Sequence, residues 1–262
     1  MIELNNVSFT YNTQGHKSGV YDISFKIPSG QTVLLCGASG CGKTTITRLI
    51  NGLVPAYYEG DLKGEILIDG MDSSKMTLYE LSKKIGSVFQ NPRSQFFSVD
   101  STSEIAFGCE NTGVERSEMY KRIGQVTRDF GMEHLLDRNL FALSGGEKQK
   151  IACASISAMQ PEIFILDEPS SNLDIQTISE LREVIGRWKA LGKTVIIAEH
   201  RLHYLMELVD RITYMEEGRI VNDFSKSEFE KIEDGKLHEM GLRSRKPVYF
   251  ETKKAEDNVN EN

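Results

Sequence analysis

The first thirty residues alternate hydrophobic and polar side chains, which is the pattern of half-buried β-strands. The apolar positions that mark two such strands are Ile2, Leu4, Val7, Phe9 and Tyr11 in the first and Ile23, Phe25 and Ile27 in the second. After a turn at 28–30, residues 31–36 are predicted to form a strand of the fully buried kind. The chain is therefore expected to begin with antiparallel β structure.

Farther along, short strand patterns alternate with helical ones. A glycine-rich loop after residue 36 leads into a predicted helix over 43–53. The other predicted strands lie at 65–68, 85–89, 163–166, 194–198 and 211–216, and a long helix is predicted at 175–191. Strands that alternate with helices favour a largely parallel sheet, so the expected fold class is α/β.

The segment from about residue 101 to residue 159 breaks this alternation. It carries helical patterns at 102–107, 117–130 and 145–159 and no convincing strand. We interpret it as a helical subdomain inserted into the α/β core. The polar end of the chain, from Glu251 onward, is expected to be frayed.

Composition narrows the function classes. The 262 residues include 39% hydrophobic and 26% charged residues, as in ordinary globular proteins. A net charge of −7 gives no global basic surface, so no nucleic-acid partner is expected. No apolar run approaches the roughly 18 residues of a membrane-spanning helix, and the first residues do not read as a signal peptide. The four cysteines, expected to be reduced thiols of a cytosolic protein, are Cys36, Cys41, Cys109 and Cys153.

A glycine-rich run carries the strongest chemical signal. Residues 37–45, GASGCGKTT, contain the pattern G-x-x-x-x-G-K-[ST] with Gly37, Gly42, Lys43 and Thr44 in place. Glycines let backbone N–H groups turn toward phosphates, the lysine meets the β/γ charge, and the hydroxyl is a Mg²⁺ ligand. The alternative, a plain turn, is disfavoured by the buried strand before the run and the helix after it. The remaining residues of this expected nucleotide loop are Ala38, Ser39, Gly40, Cys41 and Thr45.

Two carboxylates follow a buried strand at residues 163–169, IFILDEP. Asp167 and Glu168 thus stand at the carboxyl end of that strand, where ligands bind in open α/β sheets. Asp167 is expected to hold Mg²⁺, and Glu168 to polarise an attacking water. A solvent-facing acid pair is the alternative, which the phosphate loop elsewhere in the chain makes unattractive.

A second anion-type helix start occurs at residues 143–150, LSGGEKQK. Ser144, Gly145 and Gly146 expose backbone N–H groups at a helix N-terminus, which favours anions. Read alone, Ser144 with Glu147 three residues later is a capping box with no ligand at all. One chain therefore presents two phosphate-type helix starts and a single set of Mg²⁺ ligands.

Taken together, these motifs resemble those of the ATP-binding cassette (ABC) ATPases. The Walker A loop, the signature LSGGEKQK, the Walker B strand IFILDE and a D-loop SNLD at 171–174 occur in the family's order. The resemblance implies a P-loop NTPase fold with a RecA-like, mostly parallel sheet core, an antiparallel β subdomain and an inserted helical subdomain. It implies a nucleotide-binding domain over 1–225, with the helical subdomain at about 101–159, and a short C-terminal extension over 226–262.

The resemblance also implies how the two helix starts are used. Cassettes of this family dimerise head to tail, so that Ser144, Gly145 and Gly146 serve the γ-phosphate of ATP on a second, identical or related cassette. Gln90 stands at the Q-loop position and is expected to reach Mg²⁺ and the attacking water. His200 stands at the switch position and is expected to contact the γ-phosphate.

Tyr11 matches the family's adenine-stacking aromatic, and the alternative is a strand aromatic packed on the core. The Cys41 side chain is expected to point away from phosphate.

A narrower resemblance is to the energy-coupling-factor (ECF) importers, whose cytoplasmic ATPases drive uptake of vitamins and transition-metal ions. It rests on FQNPRSQFF at 89–97, AFGCEN at 106–111 and IIAEHR at 196–201. Two departures are Cys109, where proline is usual, and Glu199, where threonine is common. The tail also looks short beside members that carry a C-terminal dimerisation domain.

The implied function is the ATP-hydrolysing subunit of such an importer, with ATP and Mg²⁺ as cofactors. The implied location is the cytoplasmic face of the cell membrane, where the chain binds peripherally to a transmembrane coupling subunit. Phe96 and Phe97 are expected beside the groove for that subunit, with the alternative that one of the two simply packs into the local core. The alternative is a soluble, non-transport ABC ATPase, although the spacing of 101 positions from Lys43 to Ser144 leaves no room for a coiled-coil insertion. A regulatory module without turnover is disfavoured because Glu168 and His200 are present.

Overall fold

The structure is a computed structural model that describes residues 1–12, 18–171 and 173–242. Its strands are β1 (Ile2–Tyr11), β2 (Gly19–Ile27), β3 (Thr32–Cys36), β4 (Gly60–Ile68), β5 (Met71–Asp72), β6 (Ile85–Val88), β7 (Ile163–Asp167), β8 (Thr194–Ala198), β9 (Arg211–Glu216) and β10 (Arg219–Ser225). Its α-helices are α1 (Lys43–Ile50), α2 (Leu53–Ala56), α3 (Leu78–Lys84), α4 (Ser101–Asn111), α5 (Arg116–Asp129), α6 (Gly145–Ala158), α7 (Ile175–Ala190), α8 (Lys226–Phe229) and α9 (Asp234–Glu239).

A four-stranded antiparallel sheet contains the beginning of the chain, as the alternating pattern predicts. Its strand order is β2-β1-β4-β5. Ile2 pairs with Ile27 on one side and with Ile68 on the other, so β1 lies between two partners over its whole length. The apolar residues of β1 at positions 2, 4, 7 and 9 are all buried.

The six-stranded second sheet has the order β10-β9-β3-β8-β7-β6 and is parallel except for its edge strand β10. Its central strands are buried on both faces. In β3, Val33 and Leu35 face a core shared with the antiparallel sheet, whereas Leu34 and Cys36 face a second core beneath the helices. The predicted α/β class with a mostly parallel core is confirmed.

Three helices, α4, α5 and α6, lie in the chain between β6 and β7 and enclose a third hydrophobic core. Phe96 and Phe130 are half-buried and contact both this core and the one beneath the helices of the parallel sheet. These two rings therefore join the helical part to the α/β part. No helix among the described residues has the length and apolar character needed to cross a membrane.

Several elements differ from the sequence pattern. The predicted helix over 43–53 ends at Ile50, because Gly52 adopts a left-handed conformation (φ 78°). Glycine is required there, since a β-carbon would lie 2.5 Å from Leu81 Cδ1. The edge strand β10 was not predicted, since none of its residues is fully buried. The helices α3, α8 and α9 are also additional. The polar end from Glu251, expected to be frayed, lies outside the described residues.

Trp188 joins α7 to the parallel sheet and to α6. Its indole stacks on Phe164 of β7 with ring centroids 4.1 Å apart, and its Nε1–H donates to Ser157 Oγ at 2.9 Å. Because Trp188 is buried and is the only tryptophan, its fluorescence reports directly on this contact.

We expect Ser157→Ala to lower the free energy of unfolding by about 1–3 kcal/mol, because the buried indole N–H then loses its acceptor. Urea unfolding followed by Trp188 fluorescence measures this as a lower midpoint with an unchanged slope. Ser179→Ala, at an exposed position of α7, is the matched control and should leave the midpoint unchanged. Equal midpoints for the two variants would contradict the assignment.

Candidate active site

The expected functional residues lie at one edge of the parallel sheet. β3, β8 and β7 are parallel neighbours whose ends are in register: Leu35, the residue before the last of β3, pairs with Ala198, and Ala198 pairs with Asp167. The loops that leave these three strands must therefore start side by side. This edge is the carboxyl end of the strands, where open α/β sheets bind ligands.

The phosphate loop needs glycine at both ends of its turn. Gly37 has φ 143°, and a β-carbon there would lie 2.2 Å from the Met215 carbonyl oxygen. Gly42, with φ 107°, comes directly before α1 and forms no side-chain cap. The first backbone N–H groups of α1 thus have no side-chain acceptor, which is the arrangement that binds anions at helix N-termini.

Lys43 lies inside the curve of this loop. Its ammonium group donates to the carbonyl oxygens of Gly37 and Ala38, each at 3.0 Å, and only 4% of the residue is exposed. The Cys41 thiol is buried in the core under the loop, 3.7 Å from the same ammonium group. At the end of β3, burial raises the pKa of the Cys36 thiol to about 12, so that thiol is protonated.

Two of the three expected Mg²⁺ ligands, Thr44 and Asp167, are in contact. Thr44 Oγ1 donates to Asp167 Oδ1 at 3.0 Å, joining the start of α1 to the end of β7. Burial raises the pKa of Asp167, the Thr44 hydroxyl lowers it, and the neighbouring Glu168 charge raises it again. A hydroxyl and a carboxylate oxygen in contact suit Mg²⁺, which takes few protein ligands and completes its shell with phosphate and water oxygens. The donor set therefore fits this ion.

Glu168 is held by two side chains from other loops. Gln90 Nε2 donates to Glu168 Oε2 at 2.8 Å, and His200 Nε2 lies 2.7 Å from Glu168 Oε1. Since an ionised carboxylate only accepts, His200 Nε2 carries the proton in this contact. Glu168 itself has φ 45°, a strained conformation for a residue with a side chain, and such outliers concentrate at functional sites.

The signature residues lie apart from the phosphate loop. Ser144 Oγ accepts from Glu147 N–H at 3.2 Å, and Ser144 N–H donates to Glu147 Oε2 at 2.7 Å, so the capping box is present. These bonds hold the pKa of Glu147 below its usual value. Gly145 lines a cavity with Gln90 and Lys148. Ala38 and Ser39 instead line one of about 430 Å³ with Glu168 and His200. Within the described part of the chain, no hydrogen bond joins residues 144–146 to the phosphate loop.

The Tyr11 side chain contacts residues of α1. Its ring packs edge-to-face on Phe9 at 4.8 Å, and its hydroxyl lies 3.2 Å from both Thr45 Oγ1 and Arg48 Nη1. Arg48 in turn lies over the ring of Tyr58 at 4.0 Å. The core-packing contact weighed in the sequence analysis is thus present, and adenine stacking by Tyr11 stays a prediction. Neither Arg48 nor Tyr58 was singled out from the sequence.

The family model for ABC transporters matches residues 20–171 of this chain. The chain belongs to this family. It is an ABC-type ATPase cassette, and the predicted P-loop fold is confirmed by solved cassettes. One is cbiO1 from Clostridium perfringens, described as part of the ABC transporter complex cbiONQ, with TM-score 0.77, 29% identity, and coverage of 88% of this chain and 90% of that one. Another is the bacterial cassette MJ0796, solved as a dimer, with TM-score 0.75, 25% identity and coverage of 86% and 99%.

Curated relatives extend the similarity to nearly the whole chain. An ABC transporter ATP-binding protein from Treponema denticola is 51% identical over 94% of this chain and 50% of its own length. A Saccharolobus solfataricus relative with the same description is 36% identical over 92% and 45%. The chain spans about half the length of the curated relatives it matches.

Glu199, which the sequence shows only as a departure from the threonine common at this position, is buried beside the reactive groups. Glu199 follows β8 directly, is 2% exposed, and its carboxylate accepts four hydrogen bonds. The sequence signal was the carboxylate immediately before His200. Its partners, however, include Ser170 and Tyr204, whose approach depends on the tertiary fold.

We expect Asp167→Asn to stabilise the nucleotide-free cassette at pH 7. Because burial raises the pKa of Asp167 above its unfolded value, the folded state binds more protons, and stability falls as pH rises through this range. An uncharged isostere removes that cost, and the melting temperature should therefore rise. Thermal unfolding in metal-free buffer measures it.

The gain should shrink as pH falls through the raised pKa of Asp167. Asp61→Asn, at an exposed position of β4, is the control for removing one negative charge. A melting temperature that stays constant or falls in Asp167→Asn at pH 7 would show that burial of the ionised Asp167 carboxylate does not destabilise the fold.

Proposed function

We propose that this cassette binds and hydrolyses ATP with Mg²⁺ and powers an ECF-type importer. The cargo class is a micronutrient such as a vitamin or a transition-metal ion. The cassette works at the cytoplasmic face of the cell membrane, bound peripherally to a transmembrane coupling subunit. The observation that carries the catalytic part is the convergence of Gln90 and His200 on the Glu168 carboxylate, beside the Thr44–Asp167 pair.

In this proposal each group has one task. Lys43, the loop N–H groups and the start of α1 hold the phosphates, and Tyr11 contacts the adenine. Thr44, Asp167 and the Gln90 amide oxygen would hold Mg²⁺, and the bound ion would supply positive charge beside the phosphate oxygens. Glu168 accepts a proton from the attacking water. His200 bridges the γ-phosphate and the carboxylate and keeps the water in line.

A second cassette completes the site. Gly145, at the start of α6, lines a different cavity from the phosphate-loop residues Ala38 and Ser39, and among the described residues no hydrogen bond joins 144–146 to that loop. A head-to-tail dimer would place them on the γ-phosphate of the neighbouring chain. That MJ0796 is described as a dimeric cassette supports this arrangement. The partner is an identical or a related cassette.

An apolar groove supports a membrane partner. A groove of about 370 Å³ lies between the helical and α/β parts, and its walls include Leu53, Tyr79, Phe97 and Phe107. Phe97 is 76% exposed and stacks on Phe107 at 4.7 Å, whereas Phe96 turns inward to the cores. A groove of this kind accepts the apolar stripe of an amphipathic helix.

The backbone of the segment that carries Phe97 is held by a buried carboxylate of α4. The Glu104 carboxylate, 3% exposed, accepts from the backbone N–H groups of Phe97 and Ser98 at 2.9 and 2.8 Å. This anchor holds the exposed ring in a fixed place. A preorganised aromatic beside a groove favours the importer over the alternative, a soluble non-transport ABC ATPase, which has no need of such a surface. The similarity to cbiO1 favours it too.

We further propose that residues 1–225 form the nucleotide-binding domain, with residues 101–159 as its helical subdomain, and that 226–262 are a short extension. Phe229 and Leu237 of the extension are buried in the core beneath the helices of the parallel sheet. The beginning of the extension is thus attached to the domain rather than separate from it.

We expect Glu168→Gln to bind ATP but to hydrolyse it about 10²–10⁴-fold more slowly, because the general base is lost. Lys43→Ala should instead weaken nucleotide binding itself. Steady-state phosphate release and equilibrium binding of a fluorescent ATP analogue separate the two effects. Size-exclusion chromatography of Glu168→Gln should show a dimer with ATP and not with ADP. Normal turnover in Glu168→Gln would refute the role of this carboxylate.

We expect Phe97→Asp to release the cassette from its membrane subunit or to uncouple uptake, because a charge in the groove opposes docking of an apolar stripe. Binding of ATP should change by less than about twofold. Co-purification with native membrane proteins and uptake in cells are the measurements. Tyr120→Asp, at an exposed aromatic of α5, is the control. A Phe97→Asp cassette that stays bound and fully active in uptake would place the docking surface elsewhere.

A further inference from the structure

The buried Glu199 carboxylate joins three parts of the chain. Oε1 accepts from the backbone N–H groups of His200 at 2.8 Å and Arg201 at 3.1 Å. Oε2 accepts from Tyr204 Oη–H at 3.1 Å and from the backbone N–H of Ser170 at 3.3 Å. Ser170 is fully buried in the turn that follows Glu168. One side chain thus bonds the loop of the histidine and the loop of the carboxylate that the histidine contacts.

These contacts close a ring around the reactive groups. Glu168 N–H donates to the Ala198 carbonyl at 2.8 Å, and Glu199 N–H donates to Leu35 at 3.1 Å, so both loops start from fixed points. The His200 ring then returns to Glu168 Oε1 at 2.7 Å. Removing the bond to Ser170 opens this ring at one place while both strands remain paired.

We propose that Glu199 is a positioning residue that sets the distance and orientation between His200 and Glu168. Its two oxygens accept from both loops at once, so a shift of the turn at Ser170 displaces the backbone of His200. A threonine hydroxyl has one oxygen on a shorter side chain and does not span the same pair of loops. The inference rests on the proposed ATP hydrolysis, which requires these two groups to be aligned.

The chemistry of the four donors makes a selective test possible. In Glu199→Gln one oxygen becomes an NH₂ group, which only donates. On the Oε1 side this group would face two backbone N–H donors, so the amide oxygen is kept there. The NH₂ group then donates to Tyr204 Oη and leaves Ser170 N–H without an acceptor. The substitution therefore cuts the link to the Glu168 loop and retains the one to His200.

Tyr204→Phe is the matched control. It removes a hydrogen bond to the same carboxylate oxygen, at a residue that is also buried, but it retains the bonds to Ser170, His200 and Arg201. If Glu199 only stabilised the fold through its buried hydrogen bonds, the loss of either bond to this oxygen would have the same effect in the two variants. If the link to Ser170 matters, only Glu199→Gln should affect the reactive groups.

The experiment measures ATP turnover and the state of His200 in the full chain, in the assembly that hydrolyses ATP. We expect Glu199→Gln to lower kcat by about 10- to 100-fold with KM for ATP within about twofold, since small misplacements of reacting groups cost this much. Tyr204→Phe should keep kcat within about twofold. The ¹⁵N signal of His200 Nε2, identified by its loss in His200→Ala, should shift in Glu199→Gln and not in Tyr204→Phe.

Two results would overturn the proposal. One is an unchanged His200 signal with kcat within twofold of wild type in Glu199→Gln. The other is an equal loss in both variants, which would mean a general loss of packing. If the wild-type chain does not hydrolyse ATP in any assembly, the proposed function fails. The His200 signal still tests the role of Glu199 in that case, because it is read without turnover.

Discussion

The parallel pairing of β3, β8 and β7 is the constraint on which the rest of this molecule depends. Backbone hydrogen bonds fix Leu35, Ala198 and Asp167 side by side at one edge of the sheet. The residues that follow them are far apart in the sequence, yet each loop starts one strand spacing, about 5 Å, from the loop of the adjacent strand. The contacts between Thr44 and Asp167 and between His200 and Glu168 follow from this register, which two hydrophobic cores hold from both faces.

Burial in the low-dielectric interior determines which polar partners the charged groups of the site need. Asp167 and the Lys43 ammonium are drawn into partly or fully buried positions, where each needs polar partners from the neighbouring loops. Lys43 finds backbone carbonyls and Asp167 finds a hydroxyl. A nucleotide with its cation would exchange these internal contacts for stronger, charged ones. The local electrostatics therefore favour occupation of the site.

Much of this could be predicted from the sequence, because local patterns carry it. The buried strands, the loop glycines and the capping box at Ser144 each depend on residues within about ten positions of one another. The features that could not be predicted depend on contacts between residues that are far apart in the sequence. The hydrogen bond between Tyr11 and Arg48 and the one between Ser170 and Glu199 each join residues that are distant along the chain. The contacts of the Glu168 carboxylate with Gln90 and His200 likewise join distant parts of the chain.

Phe96 and Phe130 have a mechanical consequence. Each ring belongs to two hydrophobic cores at once, so the helical part cannot turn against the α/β part without repacking both of them. Close-packed rings exchange between discrete arrangements rather than sliding smoothly. Phe96 is six residues from Gln90 in the same chain segment and precedes the exposed Phe97. Two discrete packings at this position would make the movement stepwise. A small change beside the phosphate of a bound nucleotide would then displace the outer groove in a single step.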